Sequence, residues 1–146
     1  MPSLSRRSVA LIGSAALLAA SLPASAAAQS GPAKNKVVFQ VSDSDPAKWS
    51  LVLNNVRNLQ TELPDDESDI EVVVYGPGIG MLKGDSPVAH RIADTLKSGV
   101  KVVACENTMK GMKLTYADML PSIGYVPAGV VEVMRKQQQG YSYIRP

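Results

Sequence analysis

The stretch "VKVVACENTMKG", residues 100–111, decides the fold, because an apolar, β-branched run passes directly into a polar sequence of the kind that starts a helix. The side chains of residues 100–105 predict a buried strand. A helix that follows a strand with almost no connecting loop is typical of parallel α/β proteins, in which helices carry the chain back across the sheet. We therefore expect the rest of the chain to alternate in the same way.

The alternation extends in both directions from this stretch. Strands are predicted at residues 36–42, 70–76, 100–105, 123–126 and 141–144. Helices are predicted from apolar residues at helical spacing, namely Trp49, Val52, Leu53, Val56 and Leu59; Ala89, Ile92, Ala93 and Leu96; Tyr116, Met119 and Leu120 in a helix over residues 106–120; and the run 127–139. Each crossover is long enough for a parallel, right-handed connection. The predicted fold is a three-layer α/β sandwich of about five mainly parallel strands flanked by helices, with flavodoxin-like or Rossmann-like winding.

The first 28 residues have the layout of a secretory signal peptide. Residues 1–7 are cationic, residues 9–22 are apolar, and Ala24, Ala26 and Ala28 fit an A-x-A cleavage rule. The apolar run is about 14 residues long, shorter than the roughly 20 that a membrane span needs. The segment "SRRSVAL" favours twin-arginine export, and an ordinary Sec signal stays open. We expect a leader at 1–28, a linker at 29–35 and one domain at 36–146, located in the periplasm.

The charge of the chain depends on its leader. Removing Arg6 and Arg7 reduces the 15 basic residues to 13, which equals the 13 acidic residues. A neutral mature chain carries no basic footprint for nucleic acid or for a membrane surface, so neither is expected as a partner. The remaining chain, about 118 residues, is long enough to bury one hydrophobic core.

Cys105 is the only cysteine in the chain and His90 the only histidine. A lone cysteine in an exported protein cannot form an internal disulfide, so it is either buried and inert or a free thiol with chemistry to perform. One cysteine and one histidine cannot supply the usual ligand set of a zinc site. We expect no metal site and no cofactor.

Ligands of open parallel sheets bind outside the carboxyl ends of the strands, and Cys105 follows the third strand. A helix that begins near Asn107 or Thr108 would lower the pKa of the thiol, whereas the adjacent Glu106 would raise it. These two polar residues are also the groups closest in sequence to the thiol. The alternative is that Cys105 is a small buried hydrophobe that ends a strand.

Glycines in the predicted loop at residues 76–87 are further candidates for ligand binding. Backbone N–H groups around Gly78 and Gly80 could approach an anion, but a structural loop that needs positive φ is the better explanation of the glycines. His90 could act as a base, or lie on the surface as an ordinary helix residue. Asp43 and Asp45 are better explained as helix caps than as an acid–base pair.

The segment "VVACENTMKG", the ending "VPAGVVEVMRKQQQGYSYI" and the loop "YGPGIGMLKG" resemble the DsrE/DsrF-like family, over essentially the whole mature chain. The resemblance implies a small α/β fold, homo-oligomers such as trimers or hexamers, and an association with sulfur relay or intracellular sulfur oxidation. The family's sulfur-shuttling members carry their reactive cysteine early in the helix before the third strand. Residues 88–93, "VAHRIA", occupy that place here without a cysteine, so that residue cannot be carried over.

Two functions follow from these observations. In the first, Cys105 accepts sulfane sulfur as a persulfide from a donor protein or small donor and passes it to an acceptor thiol. In the second, the protein is a non-enzymatic small-ligand-binding or oligomeric assembly module, and Cys105 is buried and structural. Accessibility of the thiol distinguishes them, because only the first function needs a reachable thiolate.

Overall fold

A computed structural model describes residues 35–63 and 67–146 of the protein. The strands are β1 (Asn35–Val41), β2 (Ser68–Val74), β3 (Lys101–Cys105), β4 (Gly124–Val126) and β5 (Ser142–Ile144). The helices are α1 (Pro46–Glu62), α2 (Ala89–Lys97), α3 (Glu106–Gly111) and α4 (Gly129–Gln138), with short 3-10 helices at Gly76–Leu82 and Tyr116–Asp118. The predicted leader and all of the predicted linker except Asn35 lie outside the described residues.

All five strands form one parallel sheet in the order β4-β3-β2-β1-β5. The predicted α/β sandwich is therefore confirmed. Asn35, which was assigned to the linker, instead begins β1, where it pairs with Ser68 at the start of β2. No helix in the described part of the chain is long and apolar enough to cross a membrane.

Side chains alternate across the sheet and form two cores of different size. The larger core lies on the face covered by α1 and α2, and it includes Phe39 from β1, Val72 from β2 and Ile92 from α2. The smaller core lies on the other face, where Val38 and Val73 pack against Val133 of α4. The second face thus has much less apolar cover than the first.

The ends of the helices follow from local chemistry. The carboxylate of Asp45 accepts a hydrogen bond of 2.8 Å from the Ala47 N–H and caps α1, as the sequence predicts. Gly99 and Gly140 follow the last residues of α2 and α4 with φ of +86°, a left-handed conformation that glycine adopts at little cost. These three positions confirm the predicted boundaries.

The prediction of a single helix over residues 106–120 is wrong. α3 ends at Gly111, because Lys113 takes a left-handed φ of 56° and the chain turns back. The Leu114 N–H donates to the Met109 carbonyl at 2.8 Å, and the Lys113 N–H donates to the Lys110 carbonyl at 3.1 Å. This pair of bonds is the Schellman motif that closes helices, here with lysine in place of the usual glycine. Tyr116 then begins a separate 3-10 turn and is exposed.

The loop predicted at residues 76–87 is also more ordered than expected, because its first seven residues form a 3-10 helix. Pro77 fits the start of this helix, where a missing N–H costs nothing. Ile79, Met81 and Leu82 are buried in the larger core. The apolar side chains of this segment anchor it beneath the carboxyl edge of the sheet.

Candidate functional site

Cys105 is the last residue of β3 and the N-cap of α3. Its sulfur accepts a hydrogen bond of 3.4 Å from the Thr108 N–H, which is the bond that a capping side chain makes. The helix begins at Glu106, one residue earlier than the sequence indicated. Cys105 is only 5% exposed, so the thiol lies just beneath the surface.

Thr108 connects the thiol to the neighbouring strand. Its hydroxyl oxygen accepts a hydrogen bond of 2.9 Å from the backbone N–H of Gly76, which follows β2. The hydroxyl can still donate its own proton, and hydrogen bonding from the Thr108 side chain to the sulfur lowers the pKa of Cys105. Thr108 therefore fixes the loop after β2 and supplies a donor to the thiol.

The connection between β4 and α4 closes the site from the other side. The Cys105 thiol lies 3.9 Å from the Pro127 carbonyl oxygen, a weak acceptor contact for the S–H group. The same carbonyl accepts a hydrogen bond of 3.1 Å from the Asn107 N–H. Gly129, the first residue of α4, brings its backbone N–H toward the sulfur. Cys105 thus lies between the start of α3 and the connection from β4 to α4.

Burial raises the pKa of the Cys105 thiol, but hydrogen bonds to the sulfur outweigh that effect and leave the pKa below its ordinary value. The donors are the Thr108 hydroxyl and the backbone N–H groups of Gly129, Thr108 and Asn107. Each favours the thiolate because the negative sulfur is the better acceptor. Glu106 was expected to raise the pKa of the thiol. In the structure its carboxylate instead accepts a hydrogen bond from the Tyr116 hydroxyl.

Tyr75 lies beside this arrangement, directly after β2. A Cβ atom at Gly129 would stand 2.6 Å from Cδ1 of the Tyr75 ring, so the ring packs against the start of α4 at a distance that only glycine permits. Burial raises the pKa of the Tyr75 hydroxyl, with Tyr143 and Cys105 acting in the same direction and Arg145 opposing them. Sequence reasoning missed Tyr75, which it placed inside the predicted strand 70–76, and Pro127 and Gly129, which it placed in the predicted helix 127–139.

The structure places the predicted glycines away from an open anion site. A Cβ at Gly78 would meet the Val41 carbonyl oxygen at 2.6 Å, and one at Gly80 would meet the Trp49 ring at 3.1 Å. The Gly78 N–H already donates to the Tyr75 carbonyl at 3.2 Å. Close packing explains both glycines, and positive φ, the reason offered from the sequence, applies to Gly76 instead. Ligand binding by Gly78 and Gly80 stays a prediction.

Of the other predicted residues, one lies beside the thiol and the others lie elsewhere on the protein. Asn107 is exposed next to the thiol, while His90 lies on the surface of α2 with Nδ1 3.0 Å from the Asp94 carboxylate. Asp43 accepts a hydrogen bond of 2.6 Å from the Trp49 indole through its carbonyl, and its carboxylate pairs with Arg145 at 3.5 Å. The structure therefore brings Cys105, Asn107 and Thr108 together and leaves His90 apart. No group of three or more His, Cys, Asp and Glu side chains within residues 35–63 and 67–146 could hold a metal ion.

Comparison with family models gives a match to the DsrE/DsrF-like family over residues 35–146. This chain belongs to the DsrE/DsrF-like family. A solved structure of a protein of unknown function from Methanobacterium thermoautotrophicum is 34% identical, with a TM-score of 0.73 over 77% of this chain and 99% of that one. No curated protein matches the chain.

Two more distant structures share the DsrE/DsrF-like fold of this chain. A conserved protein of unknown function from Bacteroides thetaiotaomicron is 12% identical, with a TM-score of 0.63 over 77% of this chain and 95% of that one. The ychN protein from E. coli is 13% identical, with a TM-score of 0.61 over 77% of this chain and 99% of that one. At these identities the likeness concerns the fold alone. Membership of the DsrE/DsrF-like family suggests a role related to sulfur relay.

Proposed function

We propose that this DsrE/DsrF-like protein is a sulfur carrier in which Cys105 accepts sulfane sulfur as a persulfide. The observation that carries the proposal is the set of hydrogen-bond donors around the sulfur, which lowers the pKa of the thiol despite its burial. A thiolate is the nucleophilic form of cysteine, and its formation at neutral pH is the first requirement of a carrier.

The transfer needs no oxidant and no cofactor. The Cys105 thiolate attacks the outer sulfur of a donor persulfide, R–S–SH, and a new S–S bond forms as the donor's own S–S bond breaks. The donor leaves as the thiolate R–S⁻, and the proton stays on the terminal sulfur of Cys105–S–SH. Attack by the thiolate of an acceptor on that terminal sulfur reverses the step and regenerates Cys105.

The hydrogen bonds explain why Thr108 and Asn107 belong to the proposed site. Thr108 supplies both its hydroxyl and its N–H to the sulfur, and the Asn107 N–H adds a third donor. These donors compensate for the loss of water around a thiolate in a buried position. Since the donors come from rigid backbone and from a side chain held by Gly76, they need no rearrangement to stabilise the charge.

One observation favours a second function. Cys105 is 5% exposed and its thiol contacts the Pro127 carbonyl, as a buried structural cysteine would. In that case the protein is a non-enzymatic ligand-binding or assembly module, and no donor reaches the sulfur.

Mass spectrometry after donor exposure tests the proposal. The folded protein is treated with inorganic polysulfide, and the peptide that contains Cys105 is examined for an adduct of one sulfur atom. We expect the adduct on the wild-type protein and none on a Cys105→Ser variant that retains the wild-type circular dichroism spectrum. Loading of the folded wild type that is absent, or equal in the serine variant, would contradict the carrier function and favour the assembly module.

We also propose that the protein is exported and self-associates as a trimer or hexamer. Support for association comes from the family and from two apolar side chains on the outer face of α4, Val130 and Met134, which are 62% and 48% exposed. Light scattering at micromolar concentration tests it. We expect a Val130→Glu/Met134→Glu variant to dissociate and a Gln138→Glu control on the same helix to remain assembled, whereas a monomeric wild type would exclude this interface.

A further inference from the structure

Glu71 is a charged residue in the middle of the central strand β2. It belongs to the run of buried residues 70–74, and its side chain is only 3% exposed. Along β2, alternate side chains face α4, so Glu71 shares its face of the sheet with Val73 of the smaller core. A charge in this position is expensive unless it is paired and fully hydrogen-bonded.

The pairing of Glu71 is incomplete. Lys136 of α4 places its Nζ 2.6 Å from Oε2 of Glu71 and 3.7 Å from Oε1 of Glu132, one helical turn earlier. The same ammonium lies 4.8 Å from the centre of the Tyr141 ring. Two carboxylates therefore share a single ammonium, whose side chain is itself only 12% exposed. The three side chains together carry one negative charge in excess.

One atom of this cluster has no partner. Oε1 of Glu71 is buried and makes no hydrogen bond. An ionised carboxylate oxygen can only accept hydrogen bonds, so it cannot be satisfied by the neighbouring Glu132 carboxylate. A protonated Glu71 carboxyl, by contrast, can donate to Glu132. A single proton thus removes both the unpaired oxygen and the excess charge.

The electrostatic environment also favours a proton on Glu71. Burial raises the pKa of Glu71, Glu132 raises it further, and Lys136 only partly opposes them. Burial lowers the pKa of Lys136, but Glu71 and Glu132 more than compensate and keep the ammonium protonated. Glu71 is therefore the group of the cluster that takes up a proton as the pH falls.

Other charged groups border the cluster on every element packed against it. Asp69, on the same face of β2, accepts a hydrogen bond of 2.8 Å from the Tyr141 hydroxyl and lies 3.4 Å from Lys101 Nζ of β3. Lys36 of β1 donates to the Gln139 carbonyl at 3.3 Å and lies 5.7 Å from the centre of the Tyr141 ring. Lys101 thus pairs with Asp69 and Lys36 with the Gln139 carbonyl, and within residues 35–63 and 67–146 it is Lys136 that pairs with Glu71.

We propose that Glu71 and Glu132 form a proton-binding site, in which one proton on Glu71 is shared with Glu132 beneath Lys136, and that its occupancy makes the docking of α4 on the sheet dependent on pH. The proton comes from solvent and no bond between heavy atoms changes. Because folding raises the affinity of Glu71 for this proton, the site stabilises α4 fully below the unfolded glutamate pKa of about 4.3. That contribution is lost as the pH rises through the higher pKa of the folded state.

Carbon-13 NMR of the glutamate carboxyl groups in the full-length wild-type protein tests the site without any substitution. We expect one glutamate resonance to titrate at a higher pH than the others, and to be absent from a Glu71→Gln variant. In Glu132→Gln the same midpoint moves to lower pH, because the second carboxylate is gone. Glu62→Gln, which removes an exposed carboxylate from α1, leaves it unchanged.

The result that would overturn the site is a wild-type spectrum in which every glutamate titrates in the ordinary range, or a midpoint that Glu132→Gln does not move. Hydrogen exchange tests the coupling to α4. After correction for intrinsic exchange rates, we expect protection of the α4 amides to fall in the wild type as the pH rises through the Glu71 midpoint, and to stay constant in Glu71→Gln. Protection that is equal on both sides of the midpoint in the wild type would overturn the dependence of α4 on pH.

Discussion

At the scale of single residues, the pKa of Cys105 is lowered by hydrogen-bond donors rather than by charged neighbours. The Thr108 hydroxyl is held in place by the Gly76 N–H at 2.9 Å, so its proton is available to the sulfur. The backbone donors of Asn107, Thr108 and Gly129 complete the set. A hydrogen bond to an ionised group contributes about 1.5–3 kcal/mol, so a single donor can move a thiol pKa by a unit or more.

Replacing Thr108 by valine tests this account at its most accessible donor. Thr108→Val keeps the shape of the side chain and removes the hydroxyl, so we expect the pKa of Cys105 to rise. The rate of iodoacetamide alkylation, followed against pH, measures the change. Thr108→Ser, which keeps the hydroxyl, should retain the wild-type midpoint. An unchanged midpoint in the valine variant would show that the hydroxyl does not act on the sulfur.

At the scale of secondary-structure elements, the site depends on where α3 stops. A continuous helix over residues 106–120 would carry Tyr116 along the helix axis, whereas the Schellman turn at Lys113 brings its hydroxyl back to Glu106. Lys113 pays a conformational cost for this turn, because a non-glycine residue at positive φ is strained by roughly 1–2 kcal/mol.

A glycine at this position should relieve the strain. We expect Lys113→Gly to stabilise the protein by about 1 kcal/mol, because glycine reaches the left-handed region without a Cβ clash. Chemical denaturation measures the free energy of unfolding. The same change at Lys110, inside α3, should instead destabilise the protein by about 1 kcal/mol, since it removes helix propensity without relieving strain. A stability loss at Lys113 would contradict the proposed cost of the turn.

The strands and the start of α1 follow from local sequence signals, whereas the end of α3 does not. The β-branched runs and capping residues such as Asp45 predicted the five strands and the start of α1, because these signals are local. The turn at Lys113 lacked the glycine that usually marks such a turn, so the helix was predicted too long. Cys105 was placed at the correct edge of the sheet by the rule for parallel strands.

The rest of the site depends on contacts between distant parts of the chain. Pro127 and Gly129 reach Cys105 only because β4 pairs with β3, which the sequence does not state. Glu71 was the one polar residue in an apolar run, but its partner Lys136 lies on a helix far along the chain. Such pairs follow from strand order, and strand order is a property of the whole sheet.

At the scale of the whole molecule, the proposed export depends on the first 28 residues. Their cationic start, apolar run and small residues before the expected cleavage site predict removal of the leader. Intact-mass analysis of protein recovered from the periplasm should therefore give a chain that begins after Ala26 or Ala28. A variant with Lys at both Arg6 and Arg7 distinguishes the routes, because Sec export tolerates the change and twin-arginine export does not. Protein that retains residues 1–24 would contradict export with cleavage.

The proposed function requires that the buried Cys105 forms a thiolate that reagents can reach in the folded protein. The rate at which iodoacetamide alkylates the native wild-type protein tests this most directly. It is measured between about pH 5 and pH 10, where thiols titrate. We expect complete modification of the native protein, with a midpoint below the ordinary value of about 9.0 for a cysteine thiol. Modification that occurs only after denaturation, or with a midpoint above that value, would contradict it.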